Sequence, residues 1–188
     1  RGAAYLSGVE DGIVVDVGGT STDVGALIKG YPQEAAMAVA IGGVRTNFRM
    51  PDVLSIPLGG GSIVTDNPLA IGPQSVGYRL TTEAKVFGGD ILTTTDVAVA
   101  AGLIDIGELD RVRHLSDTFV ERAREEIQNR MERAIDLVKL RAESVPIVLV
   151  GGGSVLVAGK LAGASEVVRP NYADVANAIG AAIAQVGG

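Results

Sequence analysis

Residues 13–28 read IVVDVGGTSTDVGALI. Two apolar runs, 13–17 and 24–28, flank a turn built from two glycines, three hydroxyl residues and Asp23, and a second aspartate, Asp16, sits near the end of the first run. A short, nearly continuous apolar run is the pattern of a strand buried on both faces, so a hairpin is predicted here. A tight hairpin needs only about two turn residues, and this turn is longer and far more polar. Glycine lets backbone N–H groups face an anion, because no Cβ blocks the approach, so Gly18 and Gly19 are candidate phosphate contacts. The hydroxyls of Thr20, Ser21 and Thr22 can donate to phosphate oxygens. Asp16, at the end of a buried strand, can hold a hydrated Mg2+ or orient a water, and Asp23 can do either. The plain alternative is a glycine-rich hairpin whose Asp and Thr side chains satisfy their own backbone.

Around this stretch the composition sets bounds. The 188 residues are 47% hydrophobic, enough for one domain with a full core. With 26 glycines, no Trp and 4% aromatics, the chain reads as α/β rather than an aromatic-cored all-β domain. A net charge of −6 without a basic run argues against a nucleic-acid surface. The absence of Cys excludes disulfides, thiolate metal sites and cysteine nucleophiles. No apolar run approaches membrane-spanning length and no signal peptide is visible, so a soluble cytoplasmic protein is expected.

Further along, residues 35–41 are predicted to return as a third antiparallel strand. Residues 42–92 read as irregular, broken by Gly42-Gly43, PLGGGS (57–62) and IGPQSVG (71–77). Thr95-Asp96 reads as the N-cap region of a helix reaching Ala101. From 116 to 143, Val120, Ala123, Ile127, Met131, Ala134 and Val138 recur at three- or four-residue intervals, which predicts a long amphipathic helix. Arg122/Glu126, Glu126/Arg130 and Lys139/Glu143 are its expected surface pairs. A strand at 147–150, a helix to about 161, a strand at 166–168 and a helix at 174–185 complete the order β-β-β-α-β-α-β-α. His114 is expected to be a surface or capping group.

The second glycine motif, Gly151-Gly152-Gly153-Ser154, joins a buried strand to a helix. Such a junction leaves N–H groups unpaired beside a positive dipole end. A tight turn with a serine cap is the alternative. Gly59-Gly60-Gly61-Ser62 is a third glycine stretch, which by itself reads as a plain loop.

The pair of glycine motifs, at this spacing and in this element order, resembles the actin-like ATPase superfamily. That resemblance implies an RNase H-like lobe with a mixed sheet and an irregular insertion after the third strand. It also implies that the first turn holds the phosphates of ATP with Mg2+, that Gly60, Gly61 and Ser62 approach the terminal phosphate, and that Gly151–Ser154 lines adenosine. VVDVGGTSTDV, LGGGSIV, IGPQSVG, TTTDVAVAAGL and ADVANAIGAAIA, in this order, look like the hydantoinase A/oxoprolinase family. Its members couple ATP cleavage to the opening of hydantoin or oxoproline rings, and relatives carboxylate ketones. Two positions depart from the family: Val76-Gly77-Tyr78-Arg79 replaces a Pro-Gly-Pro segment with a cysteine, and Gln74 stands where an acidic residue is common. Both leave the substrate open.

Such enzymes have two lobes, each with its own hairpin, and this chain holds one. The expectation is therefore a single domain, 1–188, forming the second ATPase lobe of a larger ATP-dependent cyclic-amide hydrolase, inactive by itself. Asp16 and Asp23 are its expected catalytic residues, with Asp16 on the metal. Its expected partners are the N-terminal lobe of the same protein, a second hydantoinase-type subunit and a small-molecule substrate, with no nucleic acid and no membrane. A nucleotide-switched interaction module and a small-molecule kinase are the alternatives.

Overall fold

The computed structural model describes residues 1–35, 40–41, 44–45 and 50–184. The chain begins with a short helix, α1 (Gly2–Ser7), that precedes the hairpin β1 (Gly12–Val17) and β2 (Thr22–Ile28). These two strands pair antiparallel from Gly12↔Leu27 to Val17↔Thr22, so the hairpin is confirmed. At its far end Lys29 and Gly30 both take positive φ, the conformation of a two-residue turn whose twist matches the strands. The chain therefore returns at once as β3 (Tyr31–Pro32), paired with Leu27 and Ile28.

The third strand differs from the expectation at 35–41. Residues 36–39 lie outside the described residues. Ala40–Ile41 (β4) pairs with Val44–Arg45 (β5) and not with the hairpin. The upper half of β2 is instead joined by Val53–Ile56 (β6), from Thr22↔Ile56 to Gly25↔Val53. The immediate turn at Lys29-Gly30 uses up only the lower end of that edge and leaves the upper half for a later segment.

The remaining elements are the hairpin β7 (Ser62–Thr65) and β8 (Ala70–Ser75), helices α2 (Leu80–Glu83), α3 (Thr94–Ala100) and α4 (Asp117–Val138), strands β9 (Val145–Val150) and β10 (Ala164–Val168), and α5 (Ala176–Ala182). Residues 57–92 are thus more ordered than predicted. The main sheet runs β10-β9-β1-β2-β3, with β6 beside β2. β1, β9 and β10 are parallel and β2 antiparallel, giving the mixed sheet expected.

Alternation along the strands decides the layers. Ile13, Val15 and Val17 face α4, whose Ala123, Ile127, Met131 and Ile135 are buried with them in the main core. Val14 points the other way, toward Val148, Val150, Ala3 and Ala176, so α1 and α5 cover the second face. Ser116 caps α4 by accepting from the Phe119 amide at 3.3 Å. The helix ends at Val138, five residues short of the expected 143, and the connection before Pro146 takes the rest. The Lys139/Glu143 pair is lost with that turn. Glu126 and Arg130 do pair, at 2.7 Å, while Arg122 faces Asp66 at 3.9 Å. After β9 a single-turn 3-10 helix, Gly152–Leu156, replaces the longer helix predicted to 161. Gln185, the predicted end of the last helix, lies outside the described residues. His114 is exposed.

Candidate functional site

The sheet register brings the glycine turns together. Asp16 on β1 stands beside Val150 on the parallel neighbour β9, so Gly18 and Gly151 leave adjacent strands about 4.8 Å apart. Gly151 adopts φ +85, and a Cβ there would lie 2.4 Å from the Val17 carbonyl oxygen and 2.5 Å from Asp16 Oδ1. Only glycine fits between them. Gly151→Ala is expected to cost about 3 kcal/mol through left-handed strain and forced backbone movement. An unchanged urea midpoint would contradict that close approach.

The third glycine turn is pressed onto the first. The Gly60 amide donates to Gly18 O at 3.0 Å and the Gly61 amide to Gly19 O at 2.6 Å. A Cβ on Gly59 would sit 2.7 Å from Gly18 O and from Thr20 N, so this turn also needs glycine. From the other side, the hydroxyls of Thr94 and Thr95 donate to Gly59 O and Gly60 O. Behind them Asp96, fully buried, accepts from the Val86 amide at 2.7 Å, from the Thr93 amide at 2.7 Å and from the Thr93 hydroxyl at 2.8 Å. With Thr93 it forms a capping box at the start of α3. The TTTD stretch thus fixes the position of the glycine turn, a role that sequence reasoning missed because its partners lie 35 residues away.

The three turns converge on one cavity of about 270 Å³. Gly18, Gly19, Gly60, Gly152 and Gly153 form its polar side, together with Thr95. Leu80, Ala98, Ile104, Ile106, Val155 and Leu156 form an aliphatic wall that no sequence motif announced. Space is open beyond Gly19 and Gly152, where a Cβ would meet nothing within 4 Å. Gly152 and Gly153 begin the 3-10 helix, so their amides have no partner inside it. Arg169 holds this turn from behind, donating to Ser154 O at 3.0 Å and to Val157 O. Burial pushes its guanidinium below the usual arginine value. The arrangement can take an anion on amides and a flat apolar group on the wall.

Not every predicted contact is free for a ligand. Thr22 is fully buried and its hydroxyl donates to Leu58 O at 2.6 Å, so it supports the turn instead of reaching a phosphate. Ser62 is likewise buried, with Oγ accepting from the Gly59 amide at 2.9 Å. The amides of Gly60 and Gly61 are committed to the hairpin, which makes that turn a brace. Thr20 is exposed and Ser21 half-buried at the hairpin tip, and neither hydroxyl bonds to another described residue. Ser154 is half-buried, and its amide closes the turn onto Gly151 O at 3.1 Å.

Asp16 and Asp23 lie apart from that cavity. They oppose each other across the hairpin ladder, on the face covered by α1 and α5. Asp16 Oδ2 accepts from Asn177 Nδ2 at 2.7 Å, and Asp23 Oδ1 accepts from the Ser55 hydroxyl. A second cavity of about 260 Å³ contains both, with Arg1, Asp52 and Asn177 on its lining. Among the described residues no group of three or more His, Cys, Asp or Glu is placed to hold a metal ion. Two opposed carboxylates do fit Mg2+, which keeps most of its water and binds through one or two such groups. No helix among the described residues is long and apolar enough to cross a membrane.

The sequence profile of the hydantoinase/oxoprolinase family matches residues 1–110. The acetophenone carboxylase gamma subunit of Aromatoleum aromaticum is 31% identical over 111 residues, covering 55% of this chain and 15% of that protein. The nucleotide-free structure of acetone carboxylase, described in a study of ATP-dependent acetone carboxylation, superimposes on 94% of this chain with TM-score 0.71 and 20% identity. The ATP-dependent caprolactamase of Pseudomonas jessenii superimposes on 80% of it with TM-score 0.58 and 24% identity. The chain spans only 30% and 26% of those two structures. The fold is that of the actin-like ATPases. With more than half of its length matched to the family profile, the chain belongs to the hydantoinase/oxoprolinase family.

Proposed function

We propose that this chain is the second ATP-binding lobe of an enzyme that uses ATP to open a cyclic amide. The observation that carries the reading is the convergence of three glycine turns on one cavity with an apolar wall. In it the amides of Gly19, Gly152 and Gly153 and the hydroxyls of Thr20 and Ser21 receive the phosphates, while Leu156 and its neighbours pack on the nucleoside. The Gly18 amide is held by Ser21 O at 2.9 Å and shapes the turn instead. The open space beyond Gly19 and Gly152 fits such a ligand. Asp16, whose Oδ1 reaches the back of Gly151 from the opposite face of the sheet, would hold Mg2+, and Asp23 beside it would position a water. ATP, when bound, would supply the phosphoryl group that activates the amide carbonyl. Water would add to the carbon, the C–N bond would break with its proton going to the ring nitrogen, and phosphate would leave the resulting carboxyl group. The protein's part is to position and to stabilise charge.

One lobe surrounds one side of the ligand only, so the first lobe of the same protein is the expected closing partner. A second hydantoinase-type subunit is a further expected partner, since the carboxylase relative is itself named a subunit. We place the enzyme in the cytoplasm. The same relative, 31% identical over 111 residues, favours a second reading in which the activated oxygen belongs to a ketone to be carboxylated. Phosphate release from Mg-ATP by the full-length protein separates the two. Stimulation by hydantoin, oxoproline or a lactam supports the amide reading, and stimulation only by a ketone with bicarbonate replaces it. No nucleotide turnover with either class would remove both.

A further inference from the structure

The turn that follows β8 forms the rim of the glycine cavity. Its first residue, Gly77, takes φ +57, and a Cβ there would lie 3.8 Å from the Thr20 hydroxyl at the hairpin tip. Ser75 fixes that approach, accepting from the Gly77 amide at 3.1 Å and donating to Gly19 O at 3.4 Å. Three residues later Leu80 is part of the cavity wall. Arg79 lies between these two points, at most about 7 Å of chain from Gly77 and within side-chain reach of Thr20.

The present partners of Arg79 are weak ones. Its Nε meets Glu83 Oε1 at 2.6 Å, and its guanidinium lies 5.7 Å from the centre of the Tyr78 ring, which is 91% exposed. The second carboxylate oxygen, Glu83 Oε2, is buried without a hydrogen-bond partner. The pair is therefore one-pronged, lacking the two parallel bonds that make an arginine–carboxylate pair strong. With the Arg79 side chain half exposed, such a pair contributes little to stability. Among the described residues no cation is on the lining of the glycine cavity, although a polyphosphate bound on amides calls for a counter-charge, and Arg79 adjoins Leu80 of that lining in the chain.

From this placement we infer that Arg79 is the cationic arm of the phosphate site, exchanging its Glu83 partner for the ligand's phosphate when nucleotide binds. The inference rests on the nucleotide reading above. It makes Glu83 a competitor of the ligand, so substitutions at the two positions act in opposite directions.

The test is calorimetric titration of full-length wild type, Arg79→Ala and Glu83→Gln with Mg-ATP and with adenosine, each variant first checked for an unchanged melting curve. Arg79→Ala is expected to weaken ATP about tenfold, the scale of one charge-assisted phosphate contact, and to leave adenosine unchanged. Glu83→Gln is expected to tighten ATP about threefold, again without effect on adenosine. Equal ATP affinity in wild type and Arg79→Ala, or weaker ATP binding in Glu83→Gln, overturns the inference while leaving the nucleotide site standing. Should Arg79→Ala prove unfolded, Arg79→Gln takes its place with the same expectation. A wild-type protein that binds neither ligand overturns the nucleotide reading and this inference with it.

Discussion

Replacing Asp16 by asparagine is expected to lower ATP turnover of the full-length protein about a hundredfold or more, with little change in stability. The side chain keeps its shape, and an amide oxygen can still accept the 2.7 Å bond from Asn177 Nδ2. What disappears is the negative charge, and Mg2+ needs that charge. The folded state loses only the charge assistance of one half-exposed hydrogen bond, about 1 kcal/mol. Turnover measured beside thermal melting separates the two roles. A melting point lowered by many degrees with turnover preserved would make Asp16 a structural residue, holding Asn177 and filling the space beside Gly151.

Asp96→Ala is expected to do the opposite: the protein should lose about 4 kcal/mol of stability, equivalent to about 12 °C in melting temperature. The carboxylate is fully buried, and its three bonds tie the cap of α3 to the segment around Val86. Truncation leaves two backbone N–H groups buried without an acceptor, and each carries its own desolvation penalty. The Thr94 and Thr95 clamps on the glycine turn depend on the same cap, so ATP affinity should fall as well. Asp96→Asn retains one acceptor and should cost about half as much. A melting shift below about 3 °C for Asp96→Ala would show that the capping box contributes little.

The sequence announced what is local. The hairpin, the strand-to-helix glycine turn and the stripe on α4 each follow from residues close in the chain. Long-range pairing was harder to read. Residues 35–41 and 53–56 are both short apolar stretches, and only the turn at Lys29-Gly30 decides which of them adjoins the upper half of β2. The inward turn of Thr22 and Ser62 depends on partners such as Leu58 and Gly59, which a spacing rule cannot supply. The separation of the aspartates from the glycine cavity did have a signal. Asp16 alternates with Val15 and Val17, which face α4, so strand periodicity alone places it on the opposite face.

Hydrogen exchange of the full-length protein with and without Mg-ATP addresses the central claim, that the glycine turns of two adjacent strands form one nucleotide site. The account predicts that the amides of Gly19, Thr20, Gly152 and Gly153 become protected together. It also predicts no change at Gly60 and Gly61, whose amides are already bonded to the hairpin. Protection at only one of the two turns, or at neither while ATP is bound, would contradict it.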